Sequence, residues 1–147
     1  MHDAGAMPTL TLRRLAAAYT LLFESVDAAA ARERIADAFA DLVPCDRVVV
    51  YDVDAEDGRL AAAVERGSVA AGRAGSCQSL PLVAHGELLG VVELIRHTTG
   101  FDPFEAELAA ALADAAAPAL DGALARERLE LLAQTDSLTG LFNQRHF

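Results

Sequence analysis

Aromatic side chains are scarce in this chain of 147 residues: phenylalanine and tyrosine together make 5% of it and tryptophan is absent, although apolar residues reach 53%. A core drawn from such a supply rests on alanine, leucine and valine, which favours closely packed helices. Cysteine is nearly as rare. Cys45 and Cys77 form no CxxC pair and no histidine pair stands at zinc-finger spacing, so neither a disulfide framework nor a structural zinc site is indicated, and a reducing compartment is the expected setting. Positive charge is also short. The 12 Lys and Arg against 22 Asp and Glu leave a formal net charge of -10, which repels phosphate backbones and anionic lipid and argues against nucleic acid or membrane partners. No apolar run approaches the roughly 20 residues of a bilayer span. The opening "MHDAGAMPTL" lacks a basic stretch followed by a hydrophobic one, so the chain is expected to be cytoplasmic, neither exported nor inserted.

What is present is periodic, and the length suits one domain. Leu12, Leu15, Tyr19, Leu22 and Val26, widened by Ala16 and Phe23, predict a helix from about Thr9 to Ser25. Asp27 can cap a second helix with Ala31, Ile35, Ala38, Phe39 and Leu42 on one side and Glu33, Asp37 and Asp41 on the other, stopped by Pro44. "RVVVYDV" then reads as a central strand covered on both faces, and "RLAAAVE", with Leu60, Ala62 and Val64 alternating, follows the Asp57-Gly58 turn as its hairpin partner. "RGSVAAGRAGS", residues 66 to 76, has no period and is expected to be a loop. "CQSLPLVA" and "ELLGVVELI" make a second hairpin around His85 and Gly86, with Gly90 inside a strand, the mark of a close backbone approach or a bulge. Whether the sheet has five strands or six is left open.

"FDPFE" is the strongest local signal, with Asp102 as N-cap, Pro103 at the first helical position and Glu105 completing a capping box. The helix it opens has apolar positions as far as Leu131 and a boundary at Thr135-Asp136, about 50 Å away. Positions 108, 112, 115, 119, 122, 126, 129 and 133 follow the coiled-coil step, interrupted by Gly122 and Arg126. A kink is expected at Pro118, with the domain ending near it.

"SLPLVAHGELLGVVEL" followed by "FDPFEAELAAALADAAAPAL" resembles the last two strands and closing helix of a GAF domain, and "TDSLTGLFNQRHF" resembles the entrance to a GGDEF, or diguanylate cyclase, domain. The resemblance implies an α+β fold: an antiparallel sheet flanked by N-terminal helices and a long C-terminal signalling helix. It implies a tail at 1-8, a GAF-like domain at 9-121, a helical connector at 122-135 and the start of the cyclase at 136-147. It also implies an Asp136–Arg145 salt bridge at the junction turn, with Asn143 capping the first cyclase helix; Gln144 departs from the family pattern. The cyclase's catalytic residues are absent, so the chain is expected not to be an enzyme and to need no cofactor. The implied role is a regulatory and dimerisation input for cyclic di-GMP synthesis, with its own GGDEF domain and a second copy as partners. The expected dimer and connector residues are Leu112, Leu120, Leu124 and Leu131. The alternative is a small-molecule sensor with a reduced pocket, since residues 66 to 76 are a short stretch where the family places its pocket lid.

Other candidate residues have simpler readings. Cys77 as a redox thiol, in a third, thiol-reductase reading, stands against a structural thiol, as does Cys45. His85 and His97 lack a second metal ligand at useful spacing. Asp52, Asp54, Glu56 and Asp57 read as a solvated acidic turn rather than a cation site. Arg66 and Arg73 read as surface charges, and Tyr51 as a core tyrosine.

Overall fold

The computed structural model describes residues 9–24, 27–68, 75–97 and 100–145, without the side chains of 9–12, 19 and 135–145. Leu12 and Tyr19 as core positions, together with Ser25 and Val26, therefore lie outside the described residues. The elements run α1 (Thr9–Phe23), α2 (Ala28–Leu42), β1 (Arg47–Val53), β2 (Leu60–Gly67), β3 (Ser76–Ala84), β4 (Glu87–Arg96) and α3 (Pro103–Arg145). The four strands form one antiparallel sheet in the order β2-β1-β4-β3. The two expected hairpins account for all of it among the described residues.

The helices gather on one face of the sheet. α2 packs on β1 and β2, α3 packs on β3, β4 and α2, and α1 lies against α2 and α3. Asp27 caps α2 through its carboxylate at 2.7 Å from the Ala30 amide, and Ile35, Ala36 and Phe39 are fully buried beneath it. β1 is central as expected: Val48 and Val50 face the helices, and Val49, pointing the other way, is only 1% exposed. The expected alternation in β2 is broken by a bulge between Val50 and Tyr51 of β1, where Ala63 has no opposite residue. Val64 consequently joins the core while Leu60 and Ala62 stay exposed.

Both sheet edges are blunted against further pairing. β2 carries its bulge, and β3 carries Pro81 and shifts register at Leu82/Val83, where Leu89 of β4 has no opposite residue.

Gly90 meets the expected constraint. A Cβ there would lie 2.6 Å from the Tyr51 carbonyl oxygen, an atom held by the sheet and unable to retreat cheaply.

The α3 start is the capping box read from "FDPFE": the Glu105 amide donates to Asp102 Oδ1 at 2.8 Å and the Asp102 amide to Glu105 Oε1 at 3.0 Å. Arg96, at the end of β4, then clamps three segments. It donates to both Glu105 oxygens at 2.9 and 2.6 Å, to the Gly100 carbonyl at 2.9 Å and to the Pro44 carbonyl. Its guanidinium also lies 4.5 Å from the Phe101 ring centre. The Arg96 and Glu105 side chains are 12% and 15% exposed.

α3 is one helix of 43 residues with Pro118 inside it, and it differs from expectation in two ways. Its packed part extends beyond the expected end at 121, because Ala123 is fully buried and Glu127 accepts the Ala28 amide at 2.8 Å; alanine is small enough to let α3 stay close to α2. The backbone also continues through Thr135-Asp136 to Arg145, since no proline follows Gln134 to stop it. By length and composition Pro103–Gln134 could cross a membrane, contrary to the reading of the apolar runs, but half of its most apolar stretch is buried inside the chain. A core helix of small residues passes the same test.

Three outcomes follow. Gly90→Ala is expected to lower stability by about 1–3 kcal/mol, and an unchanged denaturant midpoint would show that the sheet can give way. Arg96→Ala is expected to cost about 3 kcal/mol, because it strands a carboxylate and two carbonyls. Arg96 holds the Glu105 carboxyl below the usual 4.5, assisted by the Asp102 amide. The stability it contributes is thus present above pH 4.5 and lost as pH falls through the depressed value. Thermal melts of Glu105→Gln should show lower stability at neutral pH and a flatter acid limb than the parent.

Candidate functional site

The face of the sheet away from the helices is the candidate site. The registers place Arg47, Val49 and Tyr51 of β1, Val91, Glu93 and Ile95 of β4, Cys77 and Ser79 of β3, and Glu65 of β2 on it. Glu93 is central, opposite Val49 on one side and Ser79 on the other. The Tyr51 hydroxyl lies 3.5 Å from Glu93 Oε1, and Arg47 pairs with Glu65 at 2.9 Å. Tyr51 is half-buried, and burial followed by the Glu93 charge pushes its hydroxyl up. Burial and Glu93 likewise push the Cys77 thiol up, against a smaller lowering by Ser79. The arrangement is an apolar strip crossed by the carboxylates of Glu65 and Glu93, the hydroxyls of Tyr51 and Ser79, the Cys77 thiol and the Arg47 guanidinium. It can hold a small polar molecule through hydrogen bonds.

β2 and β3 lie at opposite edges, so the link between them, residues 68–75, must cross three strand spacings, about 14 Å. Both ends of the link are tight. A Cβ at Gly67, whose φ is +98°, would lie 2.1 Å from the Asp46 carbonyl oxygen, and one at Gly75 2.3 Å from that of Arg96. The Ser68 amide donates to the Asp46 carbonyl at 3.1 Å, and the His97 amide to the Asp46 carboxylate at 2.6 Å. The His97 ring nitrogen Nε2 lies 3.4 Å from the Ser68 carbonyl. His97 is therefore a latch between β4 and the link. Arg73 lies outside the described residues.

The other candidates resolve into structural parts. Asp52 pairs with Arg32 of α2 at 3.1 Å. Asp54 accepts the amides of Glu56 and Asp57, which hold its carboxyl below the usual range, and Asp57 accepts the Arg59 amide. Among the described residues no group of three or more His, Cys, Asp or Glu could hold a metal. Arg66 bonds Glu33 and Asp37 of α2, so it is on the helix side and not at an anion site. His85, at φ 55°, makes the tight turn and lies 3.3 Å from Asp121 of α3. Cys45 is half-buried against the core, and burial, partly offset by Arg96, pushes its thiol up. Neither thiol has the lowered pKa that a nucleophile needs.

The connector residues divide. Leu112 and Leu120 are fully buried in the chain's own core, as are Leu108 and Ala119 nearly so, which corrects their assignment to a partner contact: α3 spends that face on the sheet and α2. Leu124 is half-buried and Leu131 is 65% exposed. The side chains of Asp136, Asn143 and Arg145 lie outside the described residues. Their backbone is helical, so no turn stands at the expected junction, and Asn143 is inside the helix rather than at its start.

Sequence reasoning missed Glu93, Arg47, Arg96 and Glu127. Alternation along "ELLGVVELI" could have placed Glu93 on the face away from the core, but Arg47, Glu127 and, through Pro44, Arg96 have partners far away in sequence. A groove of about 340 Å³ also lies between α1 and α2, lined by Ala17, Ala18, Leu21 and Ala38 with Arg14, Arg34, Asp37 and Asp41 at its rim.

Solved structures share this architecture. The GAF domain of an Acinetobacter phosphoenolpyruvate-protein phosphotransferase matches with a TM-score of 0.69 at 12% identity, covering 81% of this chain and 97% of that one. A bacteriophytochrome from the photosynthetic bacterium R. palustris gives 0.73 at 11% identity, over 95% of this chain and 42% of that one. Free methionine-R-sulfoxide reductase from Neisseria meningitidis, in complex with its substrate, gives 0.65 at 17% identity over 86% and 99%. At these identities the likeness establishes the fold alone. No curated protein sequence matches significantly. The GAF domain family model matches residues 47–120, half of the chain. With the antiparallel sheet, the helices on one face and the open face on the other, the chain belongs to the GAF domain family of regulatory and sensory domains.

Proposed function

We propose that this GAF domain is the input module of a bacterial diguanylate cyclase, acting as a homodimer in the cytoplasm and controlling cyclic di-GMP synthesis through α3, with no catalytic step of its own. One observation carries the reading. Glu127 accepts the Ala28 amide, and beyond it α3 continues as helix to Arg145 with Leu129 and Leu132 exposed at 66% and 64%. That extension leads into "TDSLTGLFNQR", the residues that resemble a cyclase entrance. A helix that leaves its domain with leucines facing solvent needs a partner for them, and diguanylate cyclases must bring two GTP-loaded sites together. A change in how two such helices cross would alter that encounter.

Two measurements test this. Native mass spectrometry should give twice the 15.5 kDa of one chain, and a monomer would remove the dimeric reading. Sequencing the gene beyond codon 147 should reveal a GG(D/E)EF loop, and a different effector in frame would overturn the cyclase assignment.

The open sheet face supports a second reading, a small-molecule sensor that uses Tyr51, Glu93 and Arg47. It predicts saturable thermal stabilisation by a metabolite, reduced by Glu93→Gln. Retained mass in the native spectrum would favour it, and a screen of polar metabolites without a shift would count against it.

A further inference from the structure

The groove between α1 and α2 lies on the helix side of the sheet, and neither the α3 extension nor the open sheet face involves it. Its floor is Ala17, Ala18 and Leu21 of α1 with Ala38 of α2, and its volume is about 340 Å³. Alanine is the reason for the space, since larger side chains at these positions would fill the gap between the two helices. Leu21 stays 54% exposed beside it.

Two arginines cross between the helices at its ends. Arg14 of α1 reaches the end of α2, donating to the Asp41 carbonyl at 2.6 Å and pairing with its carboxylate at 2.9 Å. Arg34 of α2 reaches the end of α1, where Nη1 donates to the Leu21 carbonyl at 2.7 Å. The two rim carboxylates are both answered, Asp41 by Arg14 and Asp37 by Arg66 Nε at 3.0 Å. Arg34 is not. Among the described residues no carboxylate oxygen stands within 4 Å of its guanidinium. A guanidinium carries five donors in one plane, so a single carbonyl leaves room for a carboxylate on the same group.

We propose that this groove binds a free monocarboxylic acid of medium chain length, with its carboxylate on Arg34 and its hydrocarbon running along Ala17, Ala18, Leu21 and Ala38 towards Arg14. Charge complementarity selects the acid. One unanswered cation beside an apolar floor takes one negative charge and one tail, whereas an alkyl ammonium would meet Arg34 with like charge. Arg14 and Leu21 are two helical turns apart, about 10 Å, which a medium alkyl chain spans. The volume is at the small end of ligand sites, which run from roughly 300 to 1,000 Å³, and suits one chain rather than a two-chain lipid. The net charge of -10 repels an anionic bilayer, so the acid arrives from solution.

Equilibrium dialysis of the full chain against radiolabelled decanoate, held below its micellar concentration, tests the site. Saturable binding of one decanoate per chain is expected, and decanol, which lacks the charge, should bind at least tenfold more weakly. Arg34→Gln keeps a donor for the Leu21 carbonyl and should weaken decanoate binding at least tenfold. Ala17 is exposed, so Ala17→Leu adds its bulk to the groove and not to the core, and should weaken binding by as much. Glu93→Gln, on the open sheet face, should leave it within twofold. Circular dichroism spectra matching the parent's confirm that the variants fold. An absence of saturable binding overturns the proposal. Binding that survives Arg34→Gln and Ala17→Leu but falls with Glu93→Gln puts the acid on the open face and overturns the groove site. Self-association that falls with Ala17→Leu while decanoate affinity holds shows a second copy in the groove, and also overturns it.

Discussion

The Arg96 guanidinium fixes where the long helix begins and at what angle it leaves the sheet. Its donors reach the linker before β1 through Pro44, the linker after β4 through Gly100, and the first turn of α3 through both oxygens of Glu105. A planar group with five donors can serve three segments at once, which an ammonium on a flexible stem cannot match. All 12 of the chain's Lys and Arg residues are arginine, and Arg47, Arg66 and Arg96 each tie separate elements together. Burying a charge at this site is tolerable because its partners are geometrically complete. Glu105 is held twice, by Arg96 and by the Asp102 amide, so clamp and helix cap are one structure.

Beyond the clamp, small residues make the contact. Ala109, Ala116 and Ala123 of α3 and Ala31 and Ala36 of α2 are all fully buried. Each alanine removes less apolar area from water than leucine would, but loses no rotamer freedom on burial and lets helix axes approach. Phe39, Ile35, Leu112 and Leu120 supply the volume between them. The scarcity of aromatics is thus answered by proximity rather than by bulk. The same composition makes α3 apolar enough to pass for a membrane span.

Local rules explain what was legible. The Asp27 cap, the "FDPFE" box, both hairpin turns and the approach at Gly90 depend on residues a few positions apart or on one backbone contact, and the sequence announces each. The facing of α3 was not legible. Alanine occurs on nearly every side of that helix, so apolar period alone carries no phase: of the expected repeat, Leu108, Leu112 and Ala119 belong to the domain's own core, while Gly122, Arg126 and Leu129 are exposed. The bulge at Ala63 was hidden because alanine fits either face. Of the candidate site, alternation along the strands could place Tyr51 and Glu93, but the Arg96 bond to Pro44 and the Asp46, Ser68 and His97 latch join residues tens of positions apart. No spacing rule reaches that far.

β4 joins the two halves of the problem. Glu93 faces the open side and Arg96, three residues on, reaches the helix side. A strand hydrogen-bonded on both sides is stiff along its axis, so under the small-molecule reading proposed above a ligand bearing on Glu93 would act on Arg96 through β4. Displacing Arg96 moves the first turn of α3, and a helix turns a small change at its start into a larger one at its far end. A ligand gains control of α3 only if it binds one position of β4 more tightly than the other, and the two positions then differ in population by no more than that ratio. The clamp makes such a difference transmissible. It binds sheet, linkers and helix in one contact, so the start of α3 cannot stay in place when the end of β4 shifts.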